Sequence, residues 1–108
     1  MTKWKIVYTE VAEQDLRSIY EYIAFTLLEP QIAKKTVRKI MNDISSLDHM
    51  PLRHQLYDME PWRSKEIRVL QTGNFLSFYL PEKEKQTVTV IRIMYGRRNI
   101  GKHLKDNT

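Results

Sequence analysis

The chain has no cysteine, and only three glycines and four prolines occur among its 108 residues. Without cysteine, disulfide frameworks and thiolate metal sites are excluded, and a reducing compartment is favoured. Three glycines cannot build the glycine-rich loops that bind nucleotide phosphates. No segment approaches the roughly 20 consecutive apolar residues of a membrane span, and no apolar segment of a secretory signal follows the N-terminus. We therefore expect a cytoplasmic protein without a membrane partner.

Metals and cofactors are not expected either. The three histidines, His49, His54 and His103, lack the spacing of metal ligands. The length of 108 residues and the apolar fraction of 42% suit a single domain over residues 1–108, with one hydrophobic core.

Positive charge is concentrated in the second half of the sequence. Residues 1–61 contain 8 Lys/Arg and 9 Asp/Glu, whereas residues 62–108 contain 10 Lys/Arg and 4 Asp/Glu, so that −1 and +6 give the net charge of +5. Such asymmetry favours a nucleic acid, a phosphate or an acidic protein as partner. A solvated basic surface without a partner is the alternative.

Hydrophobic periodicity predicts a strand followed by two helices in the first half. Alternation over residues 3–8 is typical of a short strand. Thr9 is suited to cap a helix, and apolar residues recur at helical spacing over 12–27 and again over 33–47. Pro30 suits the first turn of the second helix, and the short link between the helices predicts an antiparallel hairpin.

The second half predicts three strands after an irregular segment over residues 51–64. The strand-like runs are 66–71, 74–80 and 87–95, and the Gly73-Asn74 pair marks the first turn. Short connections favour an antiparallel meander. The predicted fold class is therefore α+β, with the helical hairpin on one face of the sheet and the other face free to bind.

Basic residues of the sheet half are candidates for an anion site. Alternation with Ile67 and Val69 places Arg68 on the outward face, and strict alternation places Arg92 with Val90 and Met94. Arginine binds phosphate through bidentate, charge-assisted hydrogen bonds, and nearby aromatic or histidine side chains can stack a base or move a proton. The candidates for binding a target or phosphate are Lys65, Arg92, Tyr95, Arg97 and Arg98. If the chain is a nuclease, the candidates for catalysis are Arg68, Arg98 and His103.

Three segments of the sequence resemble the RelE/ParE family of bacterial toxins. Residues 15–24, DLRSIYEYIA, are similar to the first helix of the family, and residues 68–79 resemble its central strands. Residues 91–100, IRIMYGRRNI, resemble its closing segment. The resemblance covers nearly the whole chain and has the element order predicted above.

The resemblance implies the toxin of a type II toxin–antitoxin module, neutralised by a cognate antitoxin through an acidic or amphipathic segment. RelE-like members cut mRNA on the ribosome without a metal, using the RNA 2′-hydroxyl as nucleophile. ParE-like members inhibit DNA gyrase and are not known to perform chemistry of their own.

The position-by-position comparison favours the ParE branch. Arg98 and Arg68 fall at basic positions of RelE-like toxins. Phe75 stands where those toxins have a further arginine, and only His103 is available to replace their C-terminal tyrosine. We therefore expect a ParE-like toxin that acts on gyrase. The alternatives are a RelE-like, ribosome-dependent mRNA endonuclease and a non-toxic basic interaction domain.

Overall fold

A helical hairpin packs against one face of a four-stranded sheet in the computed structural model, which describes residues 3–96. The predicted α+β architecture is confirmed. In chain order the elements are β1 (Lys5–Tyr8), α1 (Glu10–Glu21), α2 (Pro30–Ser45), β2 (Arg68–Thr72), β3 (Phe75–Glu82) and β4 (Thr87–Tyr95). Within residues 3–96, neither helix is long and apolar enough to cross a bilayer.

The strand order in the sheet is β1-β4-β3-β2. The predicted meander is present, because β2, β3 and β4 pair antiparallel in sequence. The sequence did not indicate a partner for β1, which lies parallel to β4 with Lys5 opposite Thr87 and Tyr8 opposite Val90. The chain between β1 and β4 contains both helices, β2 and β3, and is long enough for the crossover that a parallel pair requires. As a result the first strand and the last strand are neighbours.

Thr9 joins β1 to α1. Its amide donates to the carbonyl of Val90 at 3.0 Å, and its hydroxyl donates to the carbonyl of Ile91 at 3.1 Å. The same hydroxyl oxygen accepts a hydrogen bond from the amide of Ala12 at 3.0 Å, which caps the helix. Thr9 therefore fixes the start of α1 directly against β4.

The hairpin turns at the end of α1, which continues as a π-helical turn over Tyr22–Thr26. Leu28 adopts a left-handed conformation with φ of 57°, and the amide of Glu29 donates to the carbonyl of Ile23 at 2.9 Å. Pro30 then begins α2. This geometry ends the first helix and sends the chain back along it.

The main core lies between the helices and the sheet. Its buried residues are Ala12, Leu16, Ile40, Ile44, Leu47, Leu70, Tyr79, Val88, Val90 and Ile93. The two helical stripes predicted from the sequence therefore supply one side of this core, and alternate residues of β2, β3 and β4 supply the other.

The second face of the sheet is not free over its whole area, so that part of the prediction is wrong. The segment 54–66 folds over it, and the rings of Tyr57 and Trp62 pack on Phe78 with centroid distances of 4.9 and 5.7 Å. Phe78 and Ile67 form the buried centre of this second cluster. The cover is needed because β3 has apolar side chains on both faces, and such surface is stabilised by removal from water.

The left-handed Leu28 generates a stability prediction. We expect Leu28→Gly to raise the free energy of unfolding by about 1 kcal/mol, because a Cβ is disfavoured in this conformation. The side chain is 77% exposed, so little apolar burial is lost. Urea unfolding followed by circular dichroism measures the change. The matched control is Leu27→Gly, which should lower stability because Leu27 has an ordinary helical φ of −87°. Equal destabilisation by both substitutions would contradict this explanation.

Candidate functional site: the basic residues and the open end of the sheet

Arg68 does not face outward as predicted. It shares the helix-covered face of β2 with Leu70, which belongs to the main core, and pairs with the buried Tyr79. Ile67 and Val69 do point into a core, as expected, but it is the second cluster beneath the segment 54–66. The prediction was wrong because strand alternation alone does not reveal this second core.

The guanidinium of Arg68 lies in a partly enclosed polar environment. Its Nη1 donates to the carbonyl of His54 at 2.6 Å, whereas Nε is buried and has no hydrogen-bond partner among residues 3–96. Arg68 and Lys83 contribute to the lining of a pocket of about 330 Å³. The two cations suit a small anion, but the carboxylate of Glu66 also lines the pocket and opposes one.

Tyr79 and His54 accompany Arg68, although the sequence did not identify either as part of this site. The Tyr79 hydroxyl donates to the carbonyl of Pro51 at 2.7 Å, and the Tyr79 and His54 rings meet edge to face at 6.3 Å. Burial raises the pKa of Tyr79 to about 12, against the opposing effect of Arg68 and Arg53. Burial, assisted by the charge of Arg53, lowers the pKa of His54. The tyrosine hydroxyl is thus protonated and the imidazole neutral at pH 7.

Arg92 forms an internal ion pair. Its Nε and Nη2 donate to the two carboxylate oxygens of Asp15 at 2.9 and 3.3 Å, and the amide of Ile93 donates to the same group at 2.9 Å. Phe78 pairs with Arg92 while Tyr79 pairs with Val90, so Ile91 is the extra residue of a β-bulge. This bulge breaks the strict alternation assumed for β4, so Val90 faces the main core whereas Arg92 and Met94 share the opposite face. The predicted grouping of Arg92 with Met94 is therefore correct, and its grouping with Val90 is wrong.

The end of β4 is an aromatic site rather than a basic one within the described residues. Tyr95 is 43% exposed, and its ring meets that of Phe75 edge to face at 5.5 Å. The amide of Gly96 donates to the carbonyl of Asn74 at 2.6 Å. A Cβ at Gly96 would lie 2.8 Å from Cγ of Leu76, so glycine allows the chain to pass close to β3 here.

The predicted site residues that can be located do not form one cluster. Tyr95 pairs with Phe75, which in turn pairs with Thr72, so Tyr95 and Thr72 lie at the same level across the sheet. Arg68 lies four residues before Thr72, about 13 Å away along β2. Lys65 is exposed in the turn before β2. The remaining candidates, Arg97, Arg98 and His103, lie outside the described residues.

In the part of the chain from residue 3 to 96, few side chains are arranged to bind a metal or to transfer a proton. No group of three His, Asp or Glu side chains in that part is arranged to hold a metal ion. The pocket beside Arg68 is lined by Leu52, Glu66, Pro81 and Lys83, with no histidine or tyrosine. The pocket thus presents two cationic side chains and one carboxylate.

The fold is shared with solved toxin structures. A structure of the chromosomal ParDE toxin–antitoxin system from P. aeruginosa is 21% identical over 86% of this chain and 96% of that chain, with a TM-score of 0.70. The RelBE2 toxin–antitoxin complex from Mycobacterium tuberculosis is 20% identical over 88% of this chain and 93% of that chain, with a TM-score of 0.61. The isolated RelE toxin of E. coli is 16% identical over 97% and 99%, with a TM-score of 0.51. No curated protein sequence matches the chain significantly.

The architecture is thus that of the RelE and ParE toxins. The model of the family described as ParE toxin of type II toxin–antitoxin system, parDE, matches residues 6–100. The chain belongs to this family and is a ParE/RelE-like toxin of a type II toxin–antitoxin system. The family resemblance seen in the sequence is confirmed.

The raised pKa of Tyr79 predicts a loss of stability at high pH. The phenol ionises near 10.0 in the unfolded chain and near 12 in the folded protein. Its contribution to the free energy of unfolding is fully present below pH 10 and is lost as the pH rises through about 12. Tyr79→Phe should remove this part of the decline, and at neutral pH it should cost about 1 kcal/mol for the hydrogen bond to Pro51.

Urea unfolding at about pH 7 and about pH 11 measures the difference, since the linkage acts between the two pKa values. Tyr22→Phe, a change at a tyrosine that is 57% exposed, is the matched control and should leave the pH dependence unaltered. The same pH dependence in wild type and Tyr79→Phe would refute the assignment.

Proposed function

We propose that this toxin inhibits DNA gyrase by binding and performs no chemistry of its own. The observation that carries the proposal is the aromatic pair of Phe75 and Tyr95 at the end of the sheet. Phe75 stands where RelE-like toxins have an arginine. An exposed aromatic pair is suited to bury apolar surface against a protein partner, and it cannot neutralise a phosphate.

The position of Arg68 supports the same proposal. Its guanidinium is on the helix-covered face and is partly used by the carbonyl of His54. It lies about 13 Å along the strand from the level of Tyr95, so the guanidinium and the aromatic pair belong to different parts of the sheet. The family match is likewise to a ParE model.

A ribosome-dependent mRNA endonuclease is the second candidate. The observation that favours it is the anion-sized pocket between Arg68 and Lys83, since arginine and lysine can stabilise a phosphoryl transition state without a metal. Arg98 would then be a second phosphate ligand and His103 a proton donor or acceptor. A basic domain without toxicity is the third candidate, and only the charge supports it.

The proposed partners are a cognate antitoxin and a target in the bacterial cytoplasm. An acidic or amphipathic antitoxin segment would complement the net charge of +5. Solved relatives of this fold include the RelBE2 toxin–antitoxin complex, which makes a neutralising protein a natural partner to propose.

A supercoiling assay tests the proposal. We expect the purified full chain to block supercoiling of relaxed plasmid by bacterial DNA gyrase, and to leave translation in a cell-free extract intact. Tyr95→Ala should weaken the inhibition about tenfold if the aromatic end contacts gyrase, as an aromatic residue at the centre of an interface would. Tyr22→Ala, which removes a comparably exposed tyrosine from the hairpin tip, should keep full activity.

Induction in a bacterium separates the three candidates. Early activation of the DNA-damage response with continued translation is the expected outcome. Immediate translation arrest with in-frame cuts in mRNA would establish the endonuclease instead. Normal growth at full expression would leave the non-toxic domain.

A further inference from the structure

The apex of the helical hairpin carries a cluster of exposed apolar side chains. Four of the eleven large apolar side chains that are exposed within residues 3–96 fall in residues 25–32. Phe25 and Leu28 are 67% and 77% exposed, and Leu27 and Ile32 are about half exposed. Single exposed apolar residues are normal on a protein surface, whereas a contiguous group of them marks a binding surface. We refer to these four residues as the apex patch.

The fold has no room to bury the apex patch. The interior of the hairpin end is closed by the small side chains of Ala24 and Ala33, which are buried where the two helices meet. The larger apolar side chains therefore remain outside. The amide of Leu27 donates to the carbonyl of Tyr22 at 3.0 Å, so the turn that presents the patch is held by the backbone. A surface that is ordered before binding loses little conformational entropy when it binds.

The charges that border the apex patch are balanced. Glu21 and Glu29 lie on one side of the turn and Lys34 and Lys35 on the other, so residues 21–35 have no net charge, whereas the whole chain has a net charge of +5. All four side chains belong to exposed residues. Among residues 3–96, none of them has an opposite charge within 4.0 Å. The border therefore offers two carboxylates and two ammonium groups to another molecule.

We propose that the apex patch is a self-association surface, on which a second copy of this chain packs about a two-fold axis. Such a contact is isologous, so the patch of one copy lies on the same patch of the other. When the end of α1 in one copy faces the start of α2 in the other, carboxylates meet ammonium groups around an apolar centre. A balanced border suits this contact because a border of one sign would repel its own copy.

The size of the apex patch determines how tightly two copies bind. From the exposed fractions, the four side chains present on the order of 400 Å² of accessible surface per copy. A standard stable interface takes about 800 Å² from each partner. The patch and its charged border together therefore support a weak, reversible dimer.

The balanced charge also decides against other occupants. An acidic protein segment would be repelled by Glu21 and Glu29, and a nucleic acid gains affinity only from an excess of cations. The same two carboxylates oppose an anionic lipid surface. The proposal does not depend on the action on gyrase, because Phe75 and Tyr95 lie at the end of the sheet and outside the apex patch.

Sedimentation of the purified full chain over a range of concentrations tests whether the dimer forms. We expect a dimer with a Kd on the order of 10–100 μM. Leu28→Asn should raise this Kd at least about tenfold, since it removes an apolar side chain while asparagine accepts the left-handed conformation. Met50→Asn is the matched control and should keep the wild-type Kd. Met50 is also left-handed, with φ of 46°, and 75% exposed, but it lies outside the patch.

Charge reversal tests the two-fold arrangement. Glu21→Lys/Glu29→Lys and Lys34→Glu/Lys35→Glu each give the border a single sign, so each double variant alone should stay monomeric where the wild type dimerises. Mixed in equal amounts, the two variants should form a heterodimer, because their borders are then opposite in sign. Both variants keep a positive net charge, so attraction between whole chains does not explain such a recovery.

A wild-type chain that remains monomeric up to about 1 mM would overturn the proposal. An equal Kd for the wild type and Leu28→Asn would overturn it as well, because the dimer would then form elsewhere. A mixture of the two charge variants that stays monomeric would refute the two-fold arrangement and the proposal with it. A monomeric wild type that binds the product of the neighbouring reading frame through Leu28 would replace the second copy by that protein.

Discussion

The carboxylate of Asp15 is the contact on which the arrangement of helices and sheet depends. It accepts two hydrogen bonds from the guanidinium of Arg92 and one from the amide of Ile93. Because β1 ends at Tyr8, the edge of β4 beyond Val90 has no neighbouring strand. The carboxylate of Asp15 on α1 accepts the hydrogen bond of the Ile93 amide at this edge instead. An unpaired amide here would be costly because it is partly buried. One side chain thus ties the first helix to the bulge in the last strand.

That tie also determines which surfaces remain open. With α1 held against β4, the hairpin covers one sheet face, and the segment 54–66 covers part of the other through Tyr57 and Trp62. The described residues then present two surfaces with distinct chemistry. The aromatic pair of Phe75 and Tyr95 ends the sheet, and a groove lined by Lys35 and Lys39 lies between α2 and the β2–β3 turn, with Phe75 contributing to both.

Much of the fold could be predicted from local patterns, and the errors share a cause. Helical periodicity, the Thr9 cap and the Gly73-Asn74 turn specify elements within a few residues, so they were readable from the sequence. The bulge at Ile91 and the cover provided by Trp62 depend on contacts between distant segments, which periodicity does not encode. These contacts turned Arg68 toward the helices and engaged Arg92 with Asp15, so the outward placement expected of Arg68 is not found. The lysines of α2 were visible in the sequence, but only the fold shows that they border an apolar groove.

A double-mutant cycle on Asp15 and Arg92 tests this account most directly. The side chains are only 16% and 24% exposed, so their ion pair is screened less than a surface pair. Asp15→Asn, Arg92→Met and the double variant are unfolded in urea, and their free energies of unfolding are compared with that of the wild type. We predict a coupling energy of about 1–2 kcal/mol between the two positions, with the double variant less destabilised than the sum of the single variants. Strictly additive effects would contradict the claim that this pair holds the helices on the sheet.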